Sequence, residues 1–254
     1  MKTEILYEDN SILVIRKPAG LAVQSAGIGQ PDVVSELKSY LAKLPDAGRP
    51  GKGEPYLGIV HRLDQPVEGL LVFAKDKKAA AALSKQLTEG ALNKHYYAVL
   101  CGYPDCAEGD LVDYLRKEGN VAVAVTGREQ EFADAKIAAL HYRILEEIND
   151  PSPLALADVT IGTGRFHQIR VQFAHAGFPL LGDTKYGTAV LKEAMPAQKY
   201  RGVALCAYSL ELVHPVSGKK MGFRVVPKNP AFAGFAMEEL KKLTENETGI
   251  SKRG

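Results

Sequence analysis

The sequence predicts an α+β fold, a mixed and mostly antiparallel sheet flanked by helices. Short β-branched or alternating apolar runs occur along most of the chain, and several stretches with helical periodicity lie among them without strict βα alternation. With 254 residues, of which 46% are hydrophobic, the chain is long enough to bury a sizeable core. We expect one domain over residues 1–244 and a frayed polar tail over 245–254.

The first elements are a strand and a helix. Residues 11–16 form a β-branched apolar run that ends at a turn containing Pro18 and Gly20. Apolar residues at spacings of three and four then predict a helix over 33–44, which Pro45 ends. Residues 45–55 are rich in Gly and Pro and are predicted to form a connecting loop.

The middle of the chain is predicted to be mostly strands. Residues 69–74 indicate a buried strand, residues 77–87 an Ala-rich helix that ends at Gly90, and residues 96–100 another strand. Alternating apolar and polar residues predict further strands near 121–125, 137–144 and 156–161.

The last third is predicted to contain two helices and a hairpin. A helix is indicated over 166–176, with Gly177 where a C-terminal cap is expected. Residues 203–213 and 221–226 flank a Pro- and Gly-containing turn and are predicted to pair as a hairpin. A final helix is indicated by apolar residues between Phe232 and Leu243.

Composition excludes several classes of protein. No stretch approaches the roughly 18 apolar residues of a membrane span, and the first ten residues lack the apolar core of a signal peptide, so we expect a cytoplasmic protein that contacts no membrane. The 3 cysteines include no CxxC pair, and the 6 histidines show no HExxH spacing, so neither a disulfide framework nor a metal site is predicted. Phosphate-loop, dinucleotide-binding and GxSxG motifs are also missing, which leaves catalysis without a cofactor or simple binding.

The net charge of +2 conceals an uneven distribution. Residues 101–158 carry 5 basic and 12 acidic side chains, whereas residues 159–254 carry 14 basic and 7 acidic ones. Because a polyanion responds to local charge density, the basic parts could form a phosphate-binding face, although solvated surfaces explain the pattern equally well.

Two segments place ionisable groups in apolar surroundings. In residues 58–69, Asp64 lies on a Pro-containing loop directly before a buried strand, where it would be partly desolvated and held in place. In residues 164–170, Arg170 lies on a helix whose other face is apolar, and a buried guanidinium needs a carboxylate partner. The alternatives are an Asp that caps a surface turn and an arginine in an exposed ion pair.

These segments belong to an ordered series of motifs that resembles the RluA-type pseudouridine synthases. The series consists of His61-Arg62-Leu63-Asp64, residues 94–98, residues 164–171 and residues 182–187, with flanking matches at 17–20 and 214–218. Several ordered matches spread over roughly residues 4–226 are a far more specific signal than one short motif.

The resemblance implies a pseudouridine synthase fold with a central RNA-binding cleft, and an isomerase that converts uridine in ribosomal or transfer RNA to pseudouridine without a cofactor or metal. The catalytic aspartate falls on Asp64, which would act either as the nucleophile at C1′ or as the base at C2′. Its arginine partner falls on Arg170. The aromatic residue that packs on the target base falls on Tyr96, whereas Tyr97 would point to the opposite face of the strand.

RNA recognition is assigned to four further residues. An isomerase of this kind must extrude the nucleotide, and the resemblance gives Arg62 the role of filling the vacated stack. His61, in the same motif, is a predicted substrate contact, and Arg165 and Lys185 are predicted phosphate contacts. We expect Asp64, Arg62, Tyr96 and Arg170 to converge on one cleft, with Asp64 and Arg170 within salt-bridge reach.

The chain departs from the family pattern at four positions. Val67 and Glu68 stand where Thr and Ser are usual, Phe166 replaces a Thr, and Gln172 replaces a His. Because Val67 and Glu68 alter the loop that carries Asp64, a catalytically inactive RNA-binding homologue is one alternative. A second alternative is a nucleoside glycosidic-bond hydrolase that uses Asp64 and Glu68 as acid and base. We expect a monomer without the small N-terminal RNA-binding module that some relatives carry, so that RNA recognition falls to the catalytic domain.

Overall fold

The computed structural model describes residues 1–25, 27, 29–44, 54–126, 134–149, 152–187 and 202–237. In these residues it contains three α-helices and eleven strands, which confirms the predicted α+β class. The chain divides into two compact units: unit 1 comprises residues 1–94 and 207–225, and unit 2 comprises residues 95–206 and 226–254. The single domain over 1–244 stays a prediction, and the predicted tail over 245–254 lies outside the described residues.

The elements follow one another in an order that mixes strands and helices. They are β1 (Glu4–Glu8), β2 (Ile12–Lys17), α1 (Val33–Leu41), β3 (Gly58–Ile59), β4 (Glu68–Ala74), α2 (Lys77–Thr88), β5 (Asn93–Cys101), β6 (Glu108–Glu118), β7 (Val121–Val125), β8 (Lys136–Asn149), β9 (Pro153–Ile161), α3 (Gln168–His175), β10 (Leu205–Val213), β11 (Lys220–Arg224) and a 3₁₀ turn (Pro230–Phe232).

Unit 1 is built on a sheet in the order β1-β2-β4-β10, with β3 beside β4 and β11 beside β10. Strands β2 and β4 pair antiparallel, with Ile12 opposite Ala74 and Lys17 opposite Gly69. Every residue of β4 is buried, as expected for a continuous apolar run in the centre of a sheet. The β10–β11 hairpin is antiparallel, as predicted.

The two helices of unit 1 begin at aspartates that cap their first turns. Asp32 accepts a hydrogen bond from the Ser35 amide at 2.7 Å, and Asp76 accepts one from the Ala79 amide at 2.8 Å. Such caps satisfy amide groups that the first turn of a helix leaves without partners. The two helices begin at Val33 and Lys77, where the sequence predicts their starts.

Unit 2 is built on an antiparallel sheet in the order β5-β9-β8-β6-β7. Helix α3 packs on this sheet through Val171, which joins a buried cluster with Leu115, Ala122 and Ala138. The packing places α3 against strands β6 and β7.

Some elements differ from the prediction. Strands β1 and β6 were not predicted, because β1 has only three apolar residues between two glutamates and β6 contains several charged residues and a glycine. Helix α1 ends at Leu41 rather than at residue 44. Helix α3 begins at Gln168, since His167 has a left-handed backbone conformation with φ 55°.

Two predicted elements fall partly outside the described residues. The loop predicted over 45–55 is one of them, since residues 45–53 are not described. The helix predicted from Phe232 onward forms only the 3₁₀ turn within the described residues. In the parts of the chain that the structure covers, no helix is long and apolar enough to cross a membrane.

Candidate active site

The loop between β3 and β4 presents Asp64 and Arg62 outward. His61 and Leu63 are buried, Arg62 is exposed and Asp64 is half-buried, so the side chains alternate between the interior and the surface. The Val67 amide donates a hydrogen bond to the Asp64 carbonyl at 3.1 Å, which closes a turn around Pro66. The exposed position of Arg62 suits a residue that would enter the space left by an extruded base.

Lys17 holds the base of this loop from the interior of unit 1. Its ammonium nitrogen donates hydrogen bonds to the carbonyl oxygens of Pro18 at 3.0 Å, Leu21 at 2.7 Å and Gln65 at 3.0 Å, and the side chain is fully buried. Because Gln65 follows Asp64 directly, the lysine fixes the backbone next to the predicted catalytic carboxylate. Sequence reasoning did not single out Lys17 for this role, although it lies in one of the flanking motifs.

Two further hydrogen bonds join the Gln65 segment to the turn after β2. The Gly20 amide donates to the Gln65 carbonyl at 2.8 Å, and the Gln65 side-chain amide donates to the Gly20 carbonyl at 3.1 Å. Gly20 has φ 84°, a conformation that an L side chain adopts only with strain. The Lys17-Pro18-Ala19-Gly20 motif therefore has a clear structural function in supporting the Asp64 loop.

The charge of Lys17 is set by two opposing effects. Burial lowers the pKa of Lys17 to about 7, while the Asp64 and Glu68 carboxylates act in the opposite direction. Three carbonyl acceptors match the three protons of an ammonium group. At pH values below about 7 the protonated lysine thus adds positive potential behind the Asp64 loop.

His61 anchors the other end of the loop. Its Nε2 accepts a hydrogen bond from the Val72 amide at 3.3 Å, one residue beyond the β3–β4 ladder, which ends at Ile59 and Phe73. Burial, with a smaller contribution from the Lys94 ammonium, lowers the pKa of His61 to about 3. The ring is therefore neutral at pH 7, and its contact with β4 is structural. Its predicted contact with substrate stays a prediction.

The two unusual residues before Gly69 fit the interior. Val67 is 1% exposed, and the buried Glu68 carboxylate lies 3.7 Å from the Arg16 guanidinium. Gly69 has φ 127°, and a Cβ atom there would lie 2.4 Å from the carbonyl oxygen of Ala207. The loop thus enters β4 through a glycine that close backbone packing requires, and the charge of Glu68 has an opposite charge beside it.

In unit 2, Arg170 forms a buried bidentate ion pair with Asp183. Its Nε and Nη2 donate to the two carboxylate oxygens at 2.7 and 2.8 Å, and the two side chains are 4% and 0% exposed. Asp183 also accepts hydrogen bonds from the amides of Lys185 at 3.0 Å and Tyr186 at 3.3 Å. This geometry fixes the plane of the guanidinium.

Sequence reasoning did not identify Asp183 as the carboxylate partner of Arg170. The expectation that a buried arginine needs a carboxylate was sound, and Asp183 lies in the motif over 182–187. The ion pair expected between Arg170 and Asp64 stays a prediction.

The remaining predicted site residues lie on unit 2. Tyr96 on β5 is 4% exposed and its neighbour Tyr97 is 5% exposed. The Arg165 Nε donates to the Ile137 carbonyl at 2.9 Å, and the Lys185 ammonium donates to the Asn120 carbonyl at 2.6 Å. Lys185 is exposed, as a phosphate contact requires.

The predicted residues divide between the two units. Asp64, Arg62 and His61 belong to unit 1, whereas Tyr96, Arg170, Arg165 and Lys185 belong to unit 2. Their convergence on one cleft stays a prediction. Within the described residues, no group of three or more His, Cys, Asp or Glu side chains is arranged to hold a metal ion.

Comparison with known proteins identifies related enzymes. Residues 11–175 match the family model described as RNA pseudouridylate synthase. The ribosomal large subunit pseudouridine synthase D of Zymomonas mobilis is 34% identical over 229 residues, which cover 87% of this chain and 68% of the relative. The protein of the same name from Pseudomonas aeruginosa is 36% identical over 230 residues, covering 87% and 67%.

A third relative and two solved structures extend the comparison. An RNA pseudouridine synthase of Synechocystis is 39% identical over 225 residues, which cover 85% of this chain and 63% of the relative. The chain thus spans about two thirds of the length of these relatives. The structure of human RNA pseudouridylate synthase domain containing 4 is 25% identical, with a TM-score of 0.68 over 94% of this chain and 93% of that one.

The structure of human RNA pseudouridylate synthase domain containing 1 shares the fold. Its TM-score is 0.70 over 99% of this chain and 97% of that one, at 18% sequence identity. The matched segment contains the Asp64 loop, β5 with Tyr96, and α3 with Arg170. The chain belongs to the RNA pseudouridylate synthase family, whose enzymes are isomerases that convert uridine in RNA to pseudouridine.

Proposed function

We propose that this isomerase modifies uridine in the RNA of the large ribosomal subunit and that Asp64 is its catalytic residue. The RNA target is supported by the names of the relatives from Zymomonas mobilis and Pseudomonas aeruginosa, which are ribosomal large subunit pseudouridine synthases. The observation that carries the catalytic assignment is a half-exposed carboxylate on a loop that the buried Lys17 and His61 hold in place.

The reaction replaces the bond between N1 and C1′ of the uridine with a bond between C5 and C1′. Asp64 breaks the bond between N1 and C1′ by attacking C1′ or by removing the C2′ proton to give a glycal. The uracil then turns and its C5 bonds to C1′, which displaces Asp64 from C1′ in the first route and is accompanied by return of the proton to C2′ in the second. N1 takes up a proton, and the C5 proton is lost. Product and substrate have the same composition, so no oxidant, reductant or group donor is consumed.

The other residues position the RNA. Arg170, whose guanidinium plane is fixed by Asp183, would orient the Asp64 carboxylate. Tyr96 would pack on the extruded uracil, and Arg62, which is exposed, would take its place in the stack. Arg165 and Lys185 would contact phosphates, and each is held by one backbone carbonyl.

Tritium release tests the proposal, because formation of the new bond must expel the hydrogen at C5. The purified protein is incubated with C5-tritiated transcripts of bacterial large-subunit ribosomal RNA and, separately, with C5-tritiated transfer RNA. We expect release from the ribosomal transcript by the wild type and by Glu68→Gln, and no release by Asp64→Asn. Circular dichroism establishes that each variant is folded.

Each alternative gives a different result. Binding of the ribosomal transcript without tritium release would indicate an inactive homologue. Free uracil among the products would indicate a hydrolase, and loss of that product in Glu68→Gln would identify its second carboxylate. Release from transfer RNA alone would contradict the proposed target. Release by Asp64→Asn would remove Asp64 from the catalytic role.

A further inference from the structure

Phe166 exposes an aromatic ring beside the start of helix α3. The side chain is 41% exposed, although it stands between the two buried or half-buried residues Arg165 and His167. The Phe166 and His167 rings stack with their centroids 3.7 Å apart and an angle of 22° between their planes. One face of the phenyl ring is thus covered by the imidazole, and the exposed part of the ring lies at the protein surface.

The imidazole beneath Phe166 is fixed by contacts on its other sides. His167 is buried, and its Nδ1 lies 2.6 Å from the Tyr186 hydroxyl. That hydroxyl accepts a hydrogen bond from the Ala122 amide on β7 at 2.7 Å. The Tyr186 ring in turn lies 5.2 Å from the Arg170 guanidinium carbon. Phe166 therefore rests on a rigid stack that continues to the Arg170 and Asp183 ion pair.

One positive charge lies against the exposed ring, and two more lie close to it along the chain. The Lys117 ammonium lies over Phe166, 5.0 Å from the ring centroid, and Lys117 is itself exposed. Lys185 and Arg165 are the neighbours of Tyr186 and Phe166 in sequence. The adjacent acid, Glu118, pairs with Arg116, and alternation along β6 directs both of them to the side of the strand opposite Lys117.

We propose that Phe166 is a stacking platform for an unpaired base of the RNA, and that Lys117 and Lys185 bind the phosphates next to that base. The proposal rests on the proposed function, since it adds a contact to the same RNA substrate. Aromatic rings interleaved with lysine or arginine are the usual means by which proteins hold single-stranded RNA. A base can replace the Lys117 ammonium over the ring because stacking on a base is stronger than an exposed cation–π contact.

Quenching of 2-aminopurine provides the direct test, because this base loses fluorescence when it stacks on an aromatic side chain. The probe is a short oligouridylate with one central 2-aminopurine, titrated with the wild type, Phe166→Ala, Phe166→Tyr and Lys117→Gln. We expect quenching by the wild type and Phe166→Tyr, and its loss in Phe166→Ala. The alanine variant should also raise Kd roughly five- to a hundredfold, the range for removing a base-stacking aromatic residue.

The dependence of binding on salt separates stacking from phosphate contact. Lys117→Gln should reduce the slope of log Kd against log salt by about 0.7, the value for one phosphate contact on a single strand. Phe166→Ala should leave that slope unchanged. With the tritiated ribosomal transcript, the rise in KM of Phe166→Ala should match its rise in Kd.

Failure of this inference differs from failure of the proposed function. If the wild type releases tritium but Phe166→Ala has the wild-type Kd, quenching and KM, the ring is an ordinary surface residue and the platform does not exist. If the wild type quenches the probe but releases no tritium, the platform stands and the proposed activity fails. A changed salt slope in Phe166→Ala would show that the substitution disturbs the charges rather than removing a stack.

Discussion

Replacement of Lys17 by Met removes the buried ammonium that supports the Asp64 loop and keeps a similar side-chain volume. The carbonyl oxygens of Pro18 and Leu21 lose this donor, whereas the Gln65 carbonyl keeps the bond from the Gly20 amide. A buried carbonyl without a partner costs about 1–3 kcal/mol, and removal of the buried charge offsets part of that cost. We expect Lys17→Met to lose about 2–4 kcal/mol of unfolding free energy.

Urea unfolding measures this loss. With a slope of about 1–3 kcal/mol per M, the midpoint should fall by about 1–2 M while the variant still folds in buffer. Lys38→Met is the matched control, because Lys38 pairs with Glu54 at the surface, at 2.8 Å, and its loss should cost about 1 kcal/mol or less. Tritium release by folded Lys17→Met should fall about 10- to 100-fold, as expected when a catalytic group is misplaced.

The difference between the wild type and Lys17→Met should depend on pH. The pKa of Lys17 is about 7 in the folded chain, where burial lowers it from 10.5. The unfolded chain therefore binds more protons between these values, so the lysine's contribution to stability is full above pH 10.5 and falls as the pH drops towards 7. As the pH rises from 7 to 9, the unfolding free energy of the wild type should increase relative to that of Lys17→Met. The same difference in unfolding free energy between the two proteins at pH 7 and pH 9 would refute the reasoning.

Three further substitutions test other parts of the structure. His61→Gln should make the unfolding free energy less sensitive to acid, because the pKa of His61 is about 3 in the folded chain and 6.5 when exposed. As the pH falls from 6.5 towards 3, urea unfolding should show that the wild type loses about 4–5 kcal/mol relative to the variant. Gly69→Ala should cost about 3–5 kcal/mol in thermal unfolding, because its Cβ would lie 2.4 Å from the carbonyl oxygen of Ala207 on β10. In the control Gly90→Ala, the Cβ meets no atom within 4 Å, and the cost should be about 1 kcal/mol. Asp183→Asn should cost about 3–5 kcal/mol in urea, since the buried Arg170 loses its paired charge; a loss below about 1 kcal/mol would show that another group neutralises Arg170.

Sequence patterns identified the strands in which all or nearly all residues are buried. Strand β4 is buried throughout and β2 nearly so, so their continuous apolar runs gave an unambiguous signal. Strand β6 carries Asp, Lys and Glu on exposed positions and contains a glycine, and its strand conformation depends on pairing with β7 and β8. That pairing is a property of the tertiary structure and cannot be seen in a short window of sequence.

The candidate site shows the same limit. The motifs pointed to Asp64 and Arg170 because the local pattern of ionisable and apolar residues is unusual there. The roles of Lys17 and Asp183 depend on contacts made 48 and 13 residues away along the chain. A local pattern shows that a charged group is buried, whereas the identity of its partner follows from the fold.

Polar contacts hold the Asp64 loop in addition to the packing of the buried Leu63 and Val67, and these polar contacts have a physical reason. A loop of hydrophobic side chains would bury its own surface and could settle in several similar arrangements. Lys17 and His61 are buried instead, and their low pKa values show that charging them in the interior costs free energy. Each is tied to specific backbone atoms, so a shifted loop would leave buried polar groups without partners. The loop therefore has one strongly preferred position, which a catalytic carboxylate that must reach a single sugar carbon requires.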